Sequence, residues 1–527
     1  MTKNALSEPE NYILNKIKNI PPHLKATFIA SIIFSLIVHG FGFFNVFVNE
    51  DVLFGDFYHS LAYLYQSGRW FLVGLQYISG FYTIPWVIGI FITLYLSIAV
   101  TLIVSILEIK NKLHCVIISL LIVTFPAWAN SFMYSYMADA YPAAMLLTVL
   151  AVFVTKKHRF GYIAGGIFIM LALALYQSFL GFAIALSLML LIKHLLTEYK
   201  GIKPFALYAL RFMLLGVLGI VFYLVSIRIS LLITGGQLWD HQGLGDLNDF
   251  PFERIPQLIA NTYAYLAIGF ISGNRPDWLF VSNGLFALYI VLLTLIAMFL
   301  TIAIIKTRIY KNIPAIIILV LCLALLPFGF NITSTISPDG WMHTLMTTPF
   351  VLGVIFVFFI ISITPETEAI INTAALRLAA LCITVLIGGN YVRQTGTLYL
   401  VQHVQYERTF AFYNRLLVRI EETPGYEPGM PVAIIGTSPF PYIGMAYSLH
   451  SETWRTVGFN AQRPAVGLGE PNKVARFMYS FLGVRIELAN TEQTAAVLSS
   501  NEFEAMPLYP RHGSVRVIDD VLVVRLN

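Results

Sequence analysis

The sequence has little charge, and this excludes an ordinary soluble protein. Only 12% of its 527 residues are charged and 57% are hydrophobic, whereas soluble domains contain about 25% charged residues. The mean hydropathy is +0.74. The composition therefore predicts an integral membrane protein.

Cysteine is also scarce, and the few cysteines exclude several kinds of site. Cys115, Cys322 and Cys382 each lie within an apolar run, where a lone thiol usually acts as a small hydrophobic side chain. We therefore expect neither a disulfide framework nor a cysteine metal site. Because the sequence also lacks a Walker loop, a zinc template and a nucleophile elbow, we do not expect this chain alone to drive transport with ATP.

Apolar runs long enough to cross a bilayer recur from Thr27 to about Tyr391. A bilayer core about 30 Å thick needs roughly 20 apolar residues per helix. About eleven runs meet this need, at approximately 27–47, 83–107, 114–130, 140–155, 160–176, 178–196, 206–233, 279–305, 314–330, 342–363 and 375–391. The first run exceeds a signal-peptide core of roughly 7–15 residues, which favours an uncleaved span.

Lysine and arginine are concentrated in alternate loops, and this predicts the orientation of the chain. The basic loops are at 110–112, 156–159, 193–211 and 306–311, and the positive-inside rule places them in the cytoplasm. The opposite loops contain only Arg69, Arg254 and Arg275 among Lys and Arg. The net charge of +5 therefore reflects orientation, and we expect no nucleic-acid partner.

Two of the outward segments are long for simple connections. Residues 51–67 place apolar side chains at helical spacing, which predicts an amphipathic juxtamembrane helix on the membrane surface. Residues 251–273 indicate a second interfacial segment.

The composition changes from about Pro424, where apolar runs stop and Gly, Pro and charged residues increase. VAIIG at 432–436 predicts a strand, NKVARFMYSFLG a helix, and VRVIDDVLVVRL at 515–526 a hairpin through Asp519 and Asp520. We therefore predict a small C-terminal α/β domain. The predicted divisions are an N-terminal segment at 1–26, a transmembrane domain at 27–400, a linker or helix at 401–423 and the α/β domain at 424–527.

An acidic cluster follows the first apolar run, in the stretch VNEDVLFGDF. Glu50, Asp51 and Asp56 lie within seven positions, at a mouth that would offer a general base both apolar walls and access to solvent. The alternative is that Glu50 and Asp51 only stabilise the start of a surface helix, with Asn49 as its N-cap.

Arginine follows these acids in the same outward segment, within GRW at 68–70. The guanidinium of Arg69 is a candidate for holding a phosphate. Interfacial anchoring beside Trp70 is the alternative.

Other candidates lie at the outward ends of later spans. Asp139 is a candidate to orient a substrate or to cap a helix, and Tyr176 and Gln177 are candidates for binding a sugar or for packing. Arg275 and His343 are candidates for contacting a phosphate or a sugar, with interfacial anchoring as the alternative.

The outward loop at 238–250 contains oxygen and imidazole groups that could bind a divalent cation. Asp240, His241, Asp246 and Asp249 supply them, but their spacing matches no fixed metal template. A solvated loop without a metal is the preferred interpretation, so we expect no obligatory cofactor.

The order of motifs in the membrane part resembles that of a known family. NED at 49–51, GRW, SFMYSYMADAYPAAMLL at 131–147 and LALALYQSFLGFAIAL at 171–186 resemble the serotype-converting O-antigen glucosyltransferases of bacteria and their phages, the type II glucosyltransferase family. The resemblance covers roughly residues 27–400.

This resemblance implies a polytopic glycosyltransferase similar in plan to the GT-C enzymes, in a bacterial inner membrane. It implies transfer of glucose from undecaprenyl-phosphate-glucose to an O-antigen hydroxyl on the periplasmic side, where the C-terminal domain would also lie. The general base of the GT-C plan is in the first outward loop, so this role falls on Asp51 or Glu50.

The main alternative from another class is a transporter or flippase for lipid-linked sugars, since about eleven spans also suit a carrier. Carriers usually contain paired repeats and ionisable residues near the middle of the membrane. Here most acids collect at the outward ends of spans, which favours chemistry at the surface. A non-enzymatic partner in envelope-sugar assembly is a third hypothesis.

Overall fold

The computed structural model describes residues 9–47, 58, 62–238, 253, 256–257, 259–264, 283–332, 344–364, 373–436 and 470–526. Its helices before the C-terminal domain are α1 (Pro9–Lys18), α2 (Pro22–Phe44), α3 (Trp70–Ser79), α4 (Pro85–Leu107), α5 (Lys112–Val123), α6 (Ala127–Ser131), α7 (Ala140–Lys157), α8 (Gly161–Leu173), α9 (Leu180–Thr197), α10 (Ile202–Thr234), α11 (Asn283–Thr307), α12 (Ile313–Phe330), α13 (Val351–Ile363) and α14 (Ala374–Glu421).

These helices confirm the prediction of a polytopic helical membrane protein. In the described part of the chain, ten helices are long and apolar enough to cross a bilayer, when short turns that continue a helix are counted with it. The predicted run at 160–176 corresponds to α8, which has only 13 residues. Each of the predicted spans therefore corresponds to a helix, one of them shorter than usual.

Short connections between helices bring the basic residues to one end of the bundle. Residues 108–111 join α4 to α5, residues 158–160 join α7 to α8, and residues 198–201 join α9 to α10. We call this the basic end. The opposite end contains the start of α3, the start of α7 and the connection between α8 and α9, and we call it the Arg69 end.

Polar side chains inside the bundle join helices that are distant in sequence. The Nε2–H of His39 in α2 donates to the carbonyl oxygen of Val123 in α5 (2.9 Å), and the hydroxyl of Tyr399 in α14 lies 2.8 Å from its Nδ1. His39 is fully buried. Because an unpartnered polar group is costly in an apolar interior, these contacts stabilise one arrangement of the three helices.

An ion cluster closes the basic end. Glu108 follows α4 in a left-handed conformation with φ of 57°, and its carboxylate accepts hydrogen bonds from Lys156 of α7, at 2.5 Å, and from Lys193 of α9. Burial alone raises the pKa of Glu108, but the two lysines outweigh it and lower the pKa to about 2. One carboxylate thus joins three helices.

The last span continues as one helix well beyond a bilayer. The 48 residues of α14 extend about 70 Å at 1.5 Å per residue, whereas a bilayer core is about 30 Å thick. The C-terminal part of α14 packs on the residues that follow it, with the rings of Tyr413 and Phe477 5.1 Å apart.

The C-terminal residues form the α/β structure predicted from the sequence. Its elements are β1 (Val432–Ile435), α15 (Pro471–Phe477), α16 (Thr491–Leu498), α17 (Asn501–Glu504), β2 (Val515–Ile518) and β3 (Val521–Arg525), and a π-helix at Met478–Leu482 continues α15. The strand order is β1-β3-β2, with β1 parallel and β2 antiparallel to β3. Asp519 and Asp520 both have positive φ, as a tight two-residue hairpin requires.

Candidate functional site

Arg69 lies at the Arg69 end, between a 3₁₀-helix at Ala62–Ser67 and α3. The preceding Gly68 has a φ of +72°, and a Cβ atom at this position would be only 2.7 Å from the hydroxyl oxygen of Tyr223 in α10. Only glycine adopts this conformation without strain. The GRW stretch therefore turns sharply against α10 and begins α3 with Arg69 as its N-cap.

The guanidinium of Arg69 stacks on an aromatic ring. Its Cζ lies 5.2 Å from the ring centroid of Tyr176, and its Nε–H is buried without a hydrogen-bond acceptor among the described residues. The neighbouring Trp70 donates from Nε1 to Ser226 Oγ at 3.0 Å. A cation held in this way over a ring has donor capacity left for an anion.

Gln177 connects the two predicted motifs, GRW and YQS. Its Nε2 donates to the hydroxyl of Tyr223 at 2.8 Å and to the carbonyl oxygen of Ser67 at 3.4 Å. Arg69, Tyr176 and Gln177 are thus brought together by the fold, although more than a hundred residues separate GRW from YQS.

Two further tyrosines complete this cluster, and the sequence analysis did not select them. Tyr141 packs edge-on against Tyr176, with ring centroids 5.0 Å apart, and Tyr223 accepts the hydrogen bond from Gln177. Tyr141 follows Asp139 by two positions in the ADAYP motif, which was a usable signal. Tyr223 lies in a long apolar span, and nothing near it in sequence indicates a polar contact.

Asp139 lies immediately before α7 and is buried, with only 5% of its surface exposed. Its side chain makes no capping hydrogen bond to α7. Burial raises the pKa of Asp139 to about 7, so this carboxyl group changes charge near neutral pH. In the described part of the chain it forms no ion pair with Arg69.

The predicted catalytic pair Glu50 and Asp51 lies outside the described residues, as do the candidates Asp56, Arg275 and His343 and the loop residues at 240–249 that were considered as possible cation ligands. Within the described ranges no group of three or more His, Cys, Asp or Glu residues could hold a metal ion.

Residues that flank the acidic cluster in sequence are described, and both lie at the Arg69 end. The carbonyl oxygen of Phe47 is 3.5 Å from Ser135 Oγ, in the turn that precedes α7. Tyr58 pairs with Tyr82, just before α4, with ring centroids 5.2 Å apart. Phe47 and Tyr58 therefore lie at the same end of the bundle as Arg69, Tyr176 and Asp139.

Comparison with known families decides the class of protein. A family model described as "Glucosyl transferase GtrII" matches residues 40–361, which is more than half of the chain. The chain belongs to the GtrII glucosyl transferase family. The matched range includes Arg69, Asp139, Tyr176 and Gln177, and it ends before α14 and the C-terminal sheet.

Neither the curated proteins nor the solved structures contain a significant match. Membership of the GtrII family confirms the resemblance found from the motifs and identifies the protein as a glycosyltransferase with a sugar donor and a glycan acceptor. The long apolar helices show that this GtrII member is a multi-pass membrane protein.

Proposed function

We propose that this GtrII member is an inverting glucosyltransferase that uses undecaprenyl-phosphate-glucose as donor. The acceptor is a hydroxyl of an O-antigen or another envelope glycan, and the reaction takes place on the periplasmic side of a bacterial inner membrane. Modification of the O-antigen would change the serotype of the cell.

The observation that carries this proposal is the placement of Arg69. A guanidinium at the end of a membrane bundle, stacked on Tyr176 and with a buried Nε–H that has no acceptor among the described residues, suits an anionic ligand, because a buried donor usually has a hydrogen-bond partner. The phosphate of a polyprenyl donor supplies such a charge while its tail stays in lipid. Arg275 is proposed to contact the same phosphate.

The acidic cluster supplies the base in this proposal. Asp51 or Glu50 accepts the proton of the acceptor hydroxyl while the acceptor oxygen bonds to the anomeric carbon of glucose. The bond from this carbon to the phosphate oxygen breaks in the same step, and polyprenyl phosphate leaves. A single displacement of this kind inverts the anomeric centre.

The remaining candidates are proposed to position the acceptor. Gln177 and Tyr176 lie beside Arg69 and offer an amide and a hydroxyl to a sugar. Asp56, Asp139 and His343 are proposed to orient the acceptor or the base. No step in this mechanism requires a metal ion.

The basic end supports the proposed orientation. Lys110, Lys156, Lys193 and Lys311 are all found at this end, which the positive-inside rule assigns to the cytoplasm. The Arg69 end then faces the periplasm, together with the part of α14 that extends beyond the bilayer.

Transfer from labelled undecaprenyl-phosphate-glucose in membranes tests the proposal. The comparison includes wild type, Asp51→Asn, Glu50→Gln, Arg69→Ala and the control Glu253→Gln at matched expression. We expect one of the two acid variants to lose activity by roughly 100-fold or more, as removal of a general base does. Arg69→Ala should mainly weaken donor binding, and Glu253→Gln should match wild type.

Two results would contradict parts of this proposal. No transfer by wild type from any polyprenyl-linked hexose would reject the transferase function, and movement of the lipid-linked sugar across the membrane would then support a flippase. Full activity of both acid variants would instead reject Asp51 and Glu50 as the base and leave the function intact.

A further inference from the structure

The helix α1 precedes the first span, and the transfer mechanism proposed above does not use it. It ends at Lys18, and only residues 19–21 separate it from the start of α2 at Pro22. Phe47, just beyond the other end of α2, lies at the Arg69 end. The start of α2 and the adjoining α1 therefore lie at the basic end.

A turn at Pro21 separates α1 from α2. Pro21 has an extended backbone, with φ of −56° and ψ of 142°, and Pro22 occupies the first position of α2, where a missing N–H costs no helical hydrogen bond. The Nζ of Lys25, in the first turn of α2, donates to the carbonyl oxygen of Lys18 at 2.9 Å. The end of α1 is therefore held beside the first turn of α2, at the level where the span begins.

The side chains of α1 are exposed, including large apolar ones. Every side chain that the structure describes in α1 is exposed. Leu14 and Ile17 are exposed by 52% and 51%, much like Ile33 and Leu36 on the span α2, at 47% and 54%. Since removal of apolar surface from water is favourable, the apolar side chains of α1 are more stable in lipid than in water.

The polar side chains of α1 are concentrated on one face. Asn11, Asn15 and Lys18 recur at intervals of four and three residues, which places them next to one another on a helix. Tyr12 is one of the apolar side chains on the rest of the circumference, and the Nζ of Lys16 lies 5.6 Å from its ring centroid. A short helix with an apolar and a polar side is typical of segments that lie in the plane of a bilayer surface.

The charge around α1 suits a membrane surface with anionic lipids. Residues 1–26 contain four lysines and two acids, and the undescribed residues 1–8 contribute one of each. Glu10 lies in the first turn of α1, where an acid is favourable. Even with the undescribed Glu366 and Glu368 counted, lysine and arginine outnumber the acids of the connections at this end. Basic residues next to a span are attracted to anionic headgroups.

We propose that α1 is an interfacial anchor that lies in the bilayer surface at the basic end. Leu14 and Ile17 insert beside the acyl chains, and Asn15 and Lys18 face water. Lys16 extends from the edge of the apolar side to the headgroups. The partner is the lipid surface of the membrane that α2 crosses, so this proposal does not depend on the transfer mechanism.

Spin-label accessibility tests this proposal in the full-length chain, reconstituted into liposomes of phosphatidylethanolamine and phosphatidylglycerol. The parent variant is Cys382→Ala, because Cys115 and Cys322 are buried and should not react with the label. A nitroxide is attached at Ile17→Cys and, as the matched control on the polar face, at Asn15→Cys. Power saturation then compares collisions with oxygen, which concentrates in lipid, and with a water-soluble nickel chelate.

We expect the label at position 17 to collide mainly with oxygen and the label at position 15 mainly with the nickel chelate. Tyr12→Gln with Leu14→Gln should raise the nickel accessibility of the label at position 17 several-fold, because α1 loses apolar contact with the lipid. Asn15→Gln with Asn19→Gln changes only polar residues and should leave this accessibility unchanged.

The proposal is overturned if the nickel chelate reaches both labels equally, since α1 would then lie in water. It is also overturned if the label at position 17 is shielded from both reagents, because protein from this chain or a second copy would then cover α1. Unchanged accessibility in Tyr12→Gln with Leu14→Gln would likewise overturn it. If that variant does not fold, the two labels decide the question, since both labelled chains keep Tyr12 and Leu14.

Discussion

Gly68 determines the position of Arg69, and replacing it tests the local geometry. Gly68→Ala adds a Cβ atom 2.7 Å from Tyr223 Oη at a φ of +72°, and left-handed conformation costs a non-glycine residue roughly 1–2 kcal/mol. We expect lower thermal stability than wild type and reduced sugar transfer, because the turn that carries Arg69 must shift. Thermal unfolding in detergent and the transfer assay measure these effects.

Gly80 provides a matched control for this substitution. It has a φ of +67° but no atom within 4 Å of an added Cβ, so Gly80→Ala introduces the backbone strain without the clash. Adding Tyr223→Phe to Gly68→Ala removes the clashing oxygen and should restore part of the lost stability. Equal losses for Gly68→Ala and Gly80→Ala would show that contact with Tyr223 is unimportant.

Asp139 should make the stability of the protein depend on pH. Burial raises the pKa of Asp139 in the folded state from 3.8 to about 7, so the folded state holds the proton more strongly than the unfolded state does. The stabilisation that Asp139 adds to the free energy of unfolding is complete below about pH 4 and is lost as the pH rises to about 7. We therefore expect the melting temperature of wild type to fall between pH 5 and pH 7.5, and to fall less in Asp139→Asn.

The exposed acid Glu502 supplies the control for this measurement. The melting temperature of Glu502→Gln should fall over this pH interval as much as that of wild type. If the melting temperature of Asp139→Asn falls by the same amount, a group other than Asp139 causes the pH dependence.

At the scale of helices, the contacts of Glu108 make a second stability prediction. Glu108→Gln leaves Lys156 and Lys193 without their shared anion, and we expect a loss of roughly 1 kcal/mol at pH 7, since exposed ion pairs contribute about 0.2–1 kcal/mol each. The pKa of Glu108 is lowered to about 2, so the stabilisation by Glu108 is present above about pH 4.5 and disappears as the pH falls towards 2. Thermal unfolding of wild type and Glu108→Gln at pH 7 and at low pH measures this stabilisation.

Glu198 is the matched control at the same end of the bundle. Its ion-pair partner within the described ranges is His194, at 3.4 Å, and Glu198→Gln should change the unfolding free energy less than Glu108→Gln does. The interpretation fails if the two substitutions have the same effect at pH 7.

The sequence predicted most elements well, and the exceptions have physical reasons. The hairpin was predictable because Asp519 and Asp520 interrupt two β-branched runs, and the spans because apolar length is a strong signal. Residues 401–423 were predicted as a linker or a helix, and the sequence did not show that α14 continues without a break to Glu421. Polar residues such as Gln402, His403 and Glu407 end the hydropathy signal without ending the helix, since they are compatible with helical conformation.

For the whole molecule, the prediction of the class was confirmed and the assembly of the site was only partly predictable. Arg69, Tyr176 and Gln177 were selected separately from local motifs, but their contacts depend on how α3, α8 and α10 pack. Tyr223 could not be selected, because a tyrosine in an apolar span gives no local sign of its distant partner. The roles of Glu50, Asp51, Asp56, Arg275 and His343 stay predictions.

The contacts of Glu108 also set an order of events during synthesis. Lys156 follows Glu108 by 48 positions and Lys193 by 85. At about 5–20 residues per second, the ribosome makes Lys193 roughly 4–17 s after Glu108. During this interval the growing chain has at most one of the two ammonium groups, so the basic end closes only after α9 is complete. A slow stretch of translation between α7 and α9 would lengthen this interval without any change in the finished protein.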